Sequence, residues 1–210
     1  VEAGHGSPEN PSRIRASFPL AGALLSPVVR IIAGEFGGRR ISAPEGDTTR
    51  PMLDRVREAV FARVHERLEG ARVLDLFAGS GSLGLEAISR GAAHVRFVER
   101  GSDALAVLAK NVAELGVKDR VRIWRGDALR YESWRDRRLD EPLFDLAFFD
   151  PPYKLVTNPD TSPALVRALE ALVRENMTPE GLVVVHAPTR DVGALRPGPD
   201  WGFDLREYGG

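Results

Sequence analysis

Apolar residues recur along the chain at two spacings, and the alternation between them lays out the elements. Short apolar runs bounded by turn residues lie at residues 71–77, 94–99, 121–124, 144–149 and 181–185, and each reads as a strand covered on both faces. Elsewhere the steps lengthen to three and four. Leu53, Val56, Val60, Val64 and Leu68 mark one amphipathic helix, residues 103–115 a second that Gly116 closes, and residues 165–174 a third. A fourth helix runs through Leu85, Ala87 and Ile88, after the turn at residues 78–84. Strands alternating with helices in this way predict an α/β fold with a doubly wound, mostly parallel sheet. Ahead of the alternation, Val28-Val29-Arg30-Ile31-Ile32 and Arg39-Arg40-Ile41-Ser42 flank Gly34 and the Gly37-Gly38 pair, which predicts a β-hairpin.

Both ends depart from this pattern. Residues 1–27 are rich in Gly, Ser, Pro and Ala with neither period, and are expected to form a disordered tail. The apolar part, residues 18–29, is broken by Pro19 and Pro27 and is far shorter than a membrane span; no small-x-small cleavage site follows it. Residues 201–208 are a candidate last strand. The expected organisation is a tail at 1–27, a hairpin with a helix at 28–70, and the α/β domain at 71–210.

Composition acts mainly by exclusion. A chain of 210 residues, 43% hydrophobic and 28% charged, suits one globular domain with small additions. The net charge of −1 supplies no global attraction to a polyanion, so any nucleic-acid site must be a local patch. The absence of cysteine excludes a disulfide scaffold, a thiol nucleophile and cysteine-ligated zinc, and fits a cytoplasmic protein. His5, His65, His94 and His186 show no metal-ligand spacing, so no metal is expected. With only Lys110, Lys118 and Lys154 as lysines, basic patches are made of arginine. Arg39 and Arg40 belong to the hairpin, and Arg50, Arg55 and Arg57 lie near the start of the first helix, after the capping candidates Thr48 and Thr49 and beside Pro51. Guanidinium groups so grouped suit phosphate or a carboxylate-bearing ligand, although Asp54 and Glu58 are close enough in sequence to answer them as solvated charge. The run Arg135, Arg137 and Arg138 reads as a solvated loop.

The candidate chemistry stands where strands end. Phe144-Asp145-Leu146-Ala147-Phe148-Phe149 runs into Asp150-Pro151-Pro152-Tyr153. The first Pro holds Asp150 extended and neither Pro donates an N–H, so a carboxylate, free carbonyls and a flat ring gather at a sheet's carboxyl edge. Such a group fits an aminated planar base, with Asp150 accepting from the amine and Tyr153 stacking. Upstream, Asp75 and Phe77 precede Ala78-Gly79-Ser80-Gly81-Ser82-Leu83-Gly84, Glu99 ends the second strand, and Asp127 and Ala128 follow the third. Gly79, Gly81 and Gly84 match the dinucleotide fingerprint, so a nicotinamide-dependent oxidoreductase stays open. Asp75 beside the turn would repel a pyrophosphate and suits a cationic ligand end better. In S-adenosylmethionine, Asp75 and the glycine turn would hold the amino-acid part, Glu99 the ribose hydroxyls and Asp127 the adenine amine.

Asp75-Leu76-Phe77-Ala78-Gly79-Ser80-Gly81 followed by Asp150-Pro151-Pro152-Tyr153 resembles the S-adenosylmethionine-dependent amino-methyltransferases. Arg30-Ile31-Ile32-Ala33-Gly34, Arg50-Pro51 and Asp54-Arg55-Val56-Arg57-Glu58 narrow the resemblance to the RsmD family. The resemblance implies methylation of a guanine N2 in 16S rRNA, on an assembled or nearly assembled small ribosomal subunit. It implies S-adenosylmethionine as cofactor, held by Asp75, Phe77, Gly79, Gly81, Glu99, Asp127 and Ala128. Asp150, Pro151, Pro152 and Tyr153 would form the acceptor site. The candidate RNA contacts are Arg39 and Arg40 of the hairpin and Arg50, Arg55 and Arg57 of the helix, and a monomer is the default expectation because no long apolar surface helix is left over. Two departures stand out. Met52 and Leu53 occupy positions where the family usually has threonines, and the family's additional last strand is not found after Tyr208-Gly209, so either the chain is truncated or the strand at 201–208 takes that place.

Overall fold

The computed structural model describes residues 28–44, 54–130 and 143–188, together with Leu195, Gly202 and Asp204. The expectations for the tail at 1–27, for Thr48 through Leu53, for the arginine run at 135–138 and for most of the candidate strand at 201–208 lie outside these residues.

The predicted sheet is present. Strands β3 (Arg72–Leu76), β4 (His94–Glu99), β5 (Val121–Arg125), β6 (Phe144–Phe149) and β7 (Met177–Val185) pair in the order β5-β4-β3-β6-β7, every pair parallel. The chain therefore builds outward from β3 in one direction and then returns to build outward in the other. The switch falls between β3 and β6, where open α/β sheets bind ligands outside the carboxyl ends of the strands.

The two-residue period decides what each face meets. Val73, Val95, Phe97, Leu146 and Phe148 share one apolar cluster with helices α1 (Asp54–Val64), α2 (Ser82–Ser89) and α3 (Ser102–Leu115). Leu74, Leu76, Val98, Ala147 and Phe149 form the other cluster with Leu165, Ala168, Leu169 and Leu172 of α5 (Ser162–Asn176). The helices thus cover both faces, as the unbroken apolar strands require. Between β6 and α5 lies a five-residue helix, α4 (Tyr153–Thr157), which the sequence pattern did not reveal.

Two boundaries differ from expectation. The periodicity from Leu53 to Leu68 predicts one helix, but α1 ends at Val64 and the chain tightens into a 3-10 turn at His65–Arg67, closed by Leu68 N–H donating to the His65 carbonyl at 3.2 Å. Leu68 still reaches the core with no exposed surface, so the apolar spacing is satisfied by a tighter helix. Strand β7 begins at Met177 rather than Gly181. Phe144 pairs with Met177 and Leu146 with Leu182, so the intervening residues of β7 bulge out of the ladder.

The hairpin consists of β1 (Val28–Arg30) and β2 (Arg40–Ser42), antiparallel, with Val29 opposite Ile41 and both buried. Val29, Ile31 and Ile41 belong to the same apolar cluster as α1 and the sheet. The loop between the strands is fastened to the last turn of α2. The fully buried Glu86 carboxylate accepts Ile32 N–H at 2.6 Å, Ala33 N–H at 3.1 Å and Arg90 Nε at 2.6 Å. Ser89 Oγ donates to the Ala33 carbonyl and accepts Phe36 N–H, while the Ser89 carbonyl accepts Glu35 N–H at 2.7 Å. Gly34, at φ 83°, allows this approach: a Cβ there would stand 1.8 Å from the Ser89 carbonyl oxygen.

Candidate active site

At the end of β3 the chain turns sharply into α2. Phe77 takes φ 62°, a left-handed backbone that costs a non-glycine residue roughly 1–2 kcal/mol, and its ring meets Phe149 edge-on at 5.3 Å. Ala78 N–H donates to the Val98 carbonyl and Gly81 N–H to the Ala78 carbonyl, which ties the turn to β4 and closes it. Gly81 combines φ 81° with no room for a side chain, since a Cβ would lie 2.4 Å from Leu108 Cδ1. The first residues of α2 thereby present backbone N–H groups at a helix N-terminus.

Asp75 plays a different part from the one expected. Its side chain points from β3 toward α2, is 1% exposed, and accepts Gly84 N–H at 2.9 Å. Burial pushes this carboxyl well above the usual carboxylate range, the bond from Gly84 opposes that, and the nearby Asp150 and Glu99 push it further up. A carboxyl enclosed in this way braces the glycine turn from beneath and has almost no surface to present to a ligand. The expectation that Asp75 grips the cationic end of a cofactor directly is corrected accordingly.

The other strand ends converge on the same edge. Glu99 Oε2 accepts Gly79 N–H at 2.9 Å, and Oε1 accepts Arg100 and Gly101 N–H at 2.8 and 2.7 Å. One carboxylate thus clasps both the glycine turn and the entry to α3. Asp127 follows β5, where Gly126 N–H donates to the Glu99 carbonyl; its Oδ1 accepts Leu129 N–H and its Oδ2 faces Arg100 at 3.3 Å. Ala128 beside it is buried. From β6 come Asp150, the buried Pro151, the half-buried Pro152, with a non-helical backbone at ψ 134°, and Tyr153, which is 45% exposed. Sequence reasoning missed the neighbour of this group. His186, immediately after β7, places Nδ1 2.8 Å from Asp150 Oδ1 and its ring 5.9 Å from that of Tyr153. The signal in the sequence is partial: His186 directly follows an apolar strand, as Asp150 does, but nothing local tells which strand it neighbours.

A family profile described as conserved hypothetical protein 95 matches residues 29–199. The chain belongs to this family, the RsmD family. Among relatives, YlbH of Bacillus subtilis strain 168 is 40% identical over 126 residues, 60% of this chain and 67% of that protein. The ribosomal RNA small subunit methyltransferase D of Escherichia coli strain K12 is 35% identical over 126 residues, 60% of this chain and 61% of that protein. The solved structure of yhhF from Escherichia coli matches with a TM-score of 0.69 at 28% identity, covering 88% of this chain and 93% of that one. The matched stretch therefore spans about three fifths to two thirds of the length of those two relatives.

The arginines expected to contact RNA divide. Arg39, Arg40 and Arg55 are exposed, and Arg39 reaches the Glu114 carbonyl at 2.7 Å while lying over the Phe36 ring. Arg50 lies outside the described residues. Arg57 is 1% exposed, bonded to the Arg30 carbonyl and to Asp54 Oδ1, so it clamps α1 to β1 and its assignment to RNA is corrected. In this RsmD-family fold the hairpin is joined to the glycine turn through buried Asn111, which accepts Ser42 N–H and donates to the carbonyls of Ser42 and of Ser80, each at 2.9 Å. Among the described residues there is no cluster of three His, Cys, Asp or Glu placed to hold a metal, and no helix long and apolar enough to cross a membrane.

Proposed function

We propose that the chain transfers a methyl group from S-adenosylmethionine to the exocyclic N2 of a guanine in 16S rRNA, on small ribosomal subunits in the cytoplasm. The observation that carries this reading is the convergence, on one sheet edge at the switch between β3 and β6, of the glycine turn, Glu99, Asp127 and the Asp150-Pro151-Pro152-Tyr153 group. The name borne by the Escherichia coli relative points to the same RNA class.

The donor set fits this cofactor better than a dinucleotide. Glu99, Asp127 and Asp150 put carboxylates along the edge, an unfavourable setting for a pyrophosphate and a favourable one for a ligand with an ammonium and a sulfonium but no phosphate. Phe77, Gly79 and Gly81 would line the amino-acid part, with Asp75 bracing their turn from beneath. Glu99 would take the ribose hydroxyls, and Asp127 with Ala128 the adenine. When bound, S-adenosylmethionine supplies an electrophilic methyl on a sulfonium.

The chain's own residues supply positioning. A guanine N2 is a poor nucleophile because its lone pair is delocalised into the ring. Asp150 and the Pro151 carbonyl would accept its two N–H groups and favour a pyramidal nitrogen, while the exposed Tyr153 ring would stack on the extruded base and fix its plane. Asp150, Pro151 and Tyr153 would hold this nitrogen in line with the methyl carbon that the bound cofactor supplies, the electron pair of the carbon–sulfur bond staying on sulfur. The surplus proton on nitrogen leaves through the Asp150 carboxylate, which is 27% exposed and open to water.

The test is transfer of labelled methyl to small subunits that lack their native guanine methylation, with nucleoside mass analysis and Asp150→Ala alongside. N2-methylguanosine from the parent and none from the variant is the expected result. Methylated adenosine or cytidine would replace the substrate and keep the cofactor; no product on particles or naked RNA would refute the reading.

A further inference from the structure

Strands β6 and β7 run in parallel register up to Phe149 opposite Val185, so Asp150 and His186 leave adjacent strands side by side. The ladder continues one step beyond the Phe149–Val185 pair, with His186 N–H donating to the Phe149 carbonyl at 3.1 Å. The histidine backbone is therefore held by the sheet itself. Its Nδ1 stands 2.8 Å from Asp150 Oδ1, with the two side chains 23% and 27% exposed. Two bare lone pairs would repel at that distance, so Nδ1 carries the hydrogen and donates it. Oδ2 has no hydrogen-bond partner among the described residues. The imidazole is also tilted 52° to the Tyr153 ring at 5.9 Å, so it borders both parts of the acceptor group.

We propose that His186 is a positioning residue for the methyl transfer: its Nδ1–H holds Asp150 Oδ1, fixes the plane of the carboxylate, and turns Oδ2 to accept from the exocyclic amine of guanine. This rests on the function proposed above. A carboxylate at a strand end can rotate about its Cα–Cβ and Cβ–Cγ bonds, and a single rotation carries the accepting oxygen away from the amine. The donor on the neighbouring strand removes that freedom before the base arrives. The result is alignment, the kind of contribution in which about 1 Å of misplacement can cost on the order of 100-fold in rate.

The experiment is steady-state methyl transfer to undermethylated small subunits by the full chain and by His186→Ala and His186→Asn. Asn offers an amide N–H close to where Nδ1 stands. His186→Ala is expected to lower kcat by roughly 10- to 100-fold with KM for S-adenosylmethionine within about twofold of the parent, and His186→Asn to recover most of the loss. An alanine variant within about twofold of the parent in kcat, a loss confined to KM, or an asparagine variant as slow as alanine would overturn the proposal. Nitrogen-15 imidazole shifts of the parent are read independently of substrate: a protonated Nδ1 is expected, and a bare Nδ1 overturns the proposal even if the alanine variant fails to fold. If the parent methylates a base other than guanine, the same comparison is made on that base, so the guanine assignment fails while the role of His186 is still decided.

Discussion

Replacing Glu86 by alanine should release the hairpin loop from α2. The carboxylate is fully buried and accepts two main-chain N–H groups, from Ile32 and Ala33, as well as Arg90 Nε. Each buried N–H left without a partner costs about 1–3 kcal/mol. Arg90 keeps its place over the Phe61 ring, 5.0 Å from its centroid, and is 13% exposed, so water can solvate part of what it loses. An open depression bordered by Ala33, Gly34, Ser89 and Arg90 lets water reach the loop as well. The lower part of the range is therefore expected, about 2–4 kcal/mol in total. Urea unfolding reads this directly: with a slope of about 2 kcal/mol/M, the middle of the usual range, the midpoint should fall by roughly 1–2 M. Glu86→Gln keeps one accepting oxygen and should lose about half as much. Binding of S-adenosylmethionine should persist at the other end of α2 while binding to small subunits weakens. A midpoint for Glu86→Ala that moves by less than about 0.2 M would refute the reasoning, because it would mean the loop does not depend on these bonds.

Three further outcomes follow from individual groups. Asp75 has a folded pKa above its ordinary 3.8, so the folded state holds a proton that the unfolded chain releases; the stability it supports is full below about pH 3.8 and is lost as pH rises toward the raised value. Asp75→Asn keeps an oxygen for Gly84 N–H and should flatten that decline in melting temperature against pH, whereas parallel profiles for parent and variant would contradict the buried-acid account. Arg57→Ala should destabilise by about 1.5–3 kcal/mol, the range for hydrogen bonds to charged groups, and leave the salt dependence of RNA binding unchanged; a flatter salt slope would return Arg57 to the RNA surface. Arg40→Ala and Arg55→Ala should each reduce that slope by about one unit with little change in stability, and unchanged slopes would remove both from the interface.

What could be read from the sequence was what local chemistry determines. The glycine turn after β3, Glu99 after β4 and Asp150-Pro151-Pro152 after β6 are each written in adjacent residues, and parallel pairing then brings all strand ends to one edge. Residues whose role depends on register were harder to read. His186 belongs to the site only because Val185 pairs with Phe149, and the bulge in β7 makes that register impossible to count from the sequence. Asp75 was recognised as special, but its inward direction follows from sharing a face with Val73, opposite Phe97 and Phe148. Arg57 is legible by position and not by charge: it stands four residues after Leu53 and three before Val60, on the buried stripe of α1, where a guanidinium must find its partners inside the fold.

The three bonds of Asn111 bear on how this protein can be taken apart. A hairpin that only rested on the sheet could be exchanged as a cassette between related proteins to change which RNA is recognised. Here one side-chain amide serves as the shared fastening of β2 and the glycine turn. Protein chimeras that import a foreign hairpin whose second strand does not offer Ser42's N–H and carbonyl to Asn111 of α3 would leave that amide half-bonded, and should loosen the glycine turn along with the transplanted element.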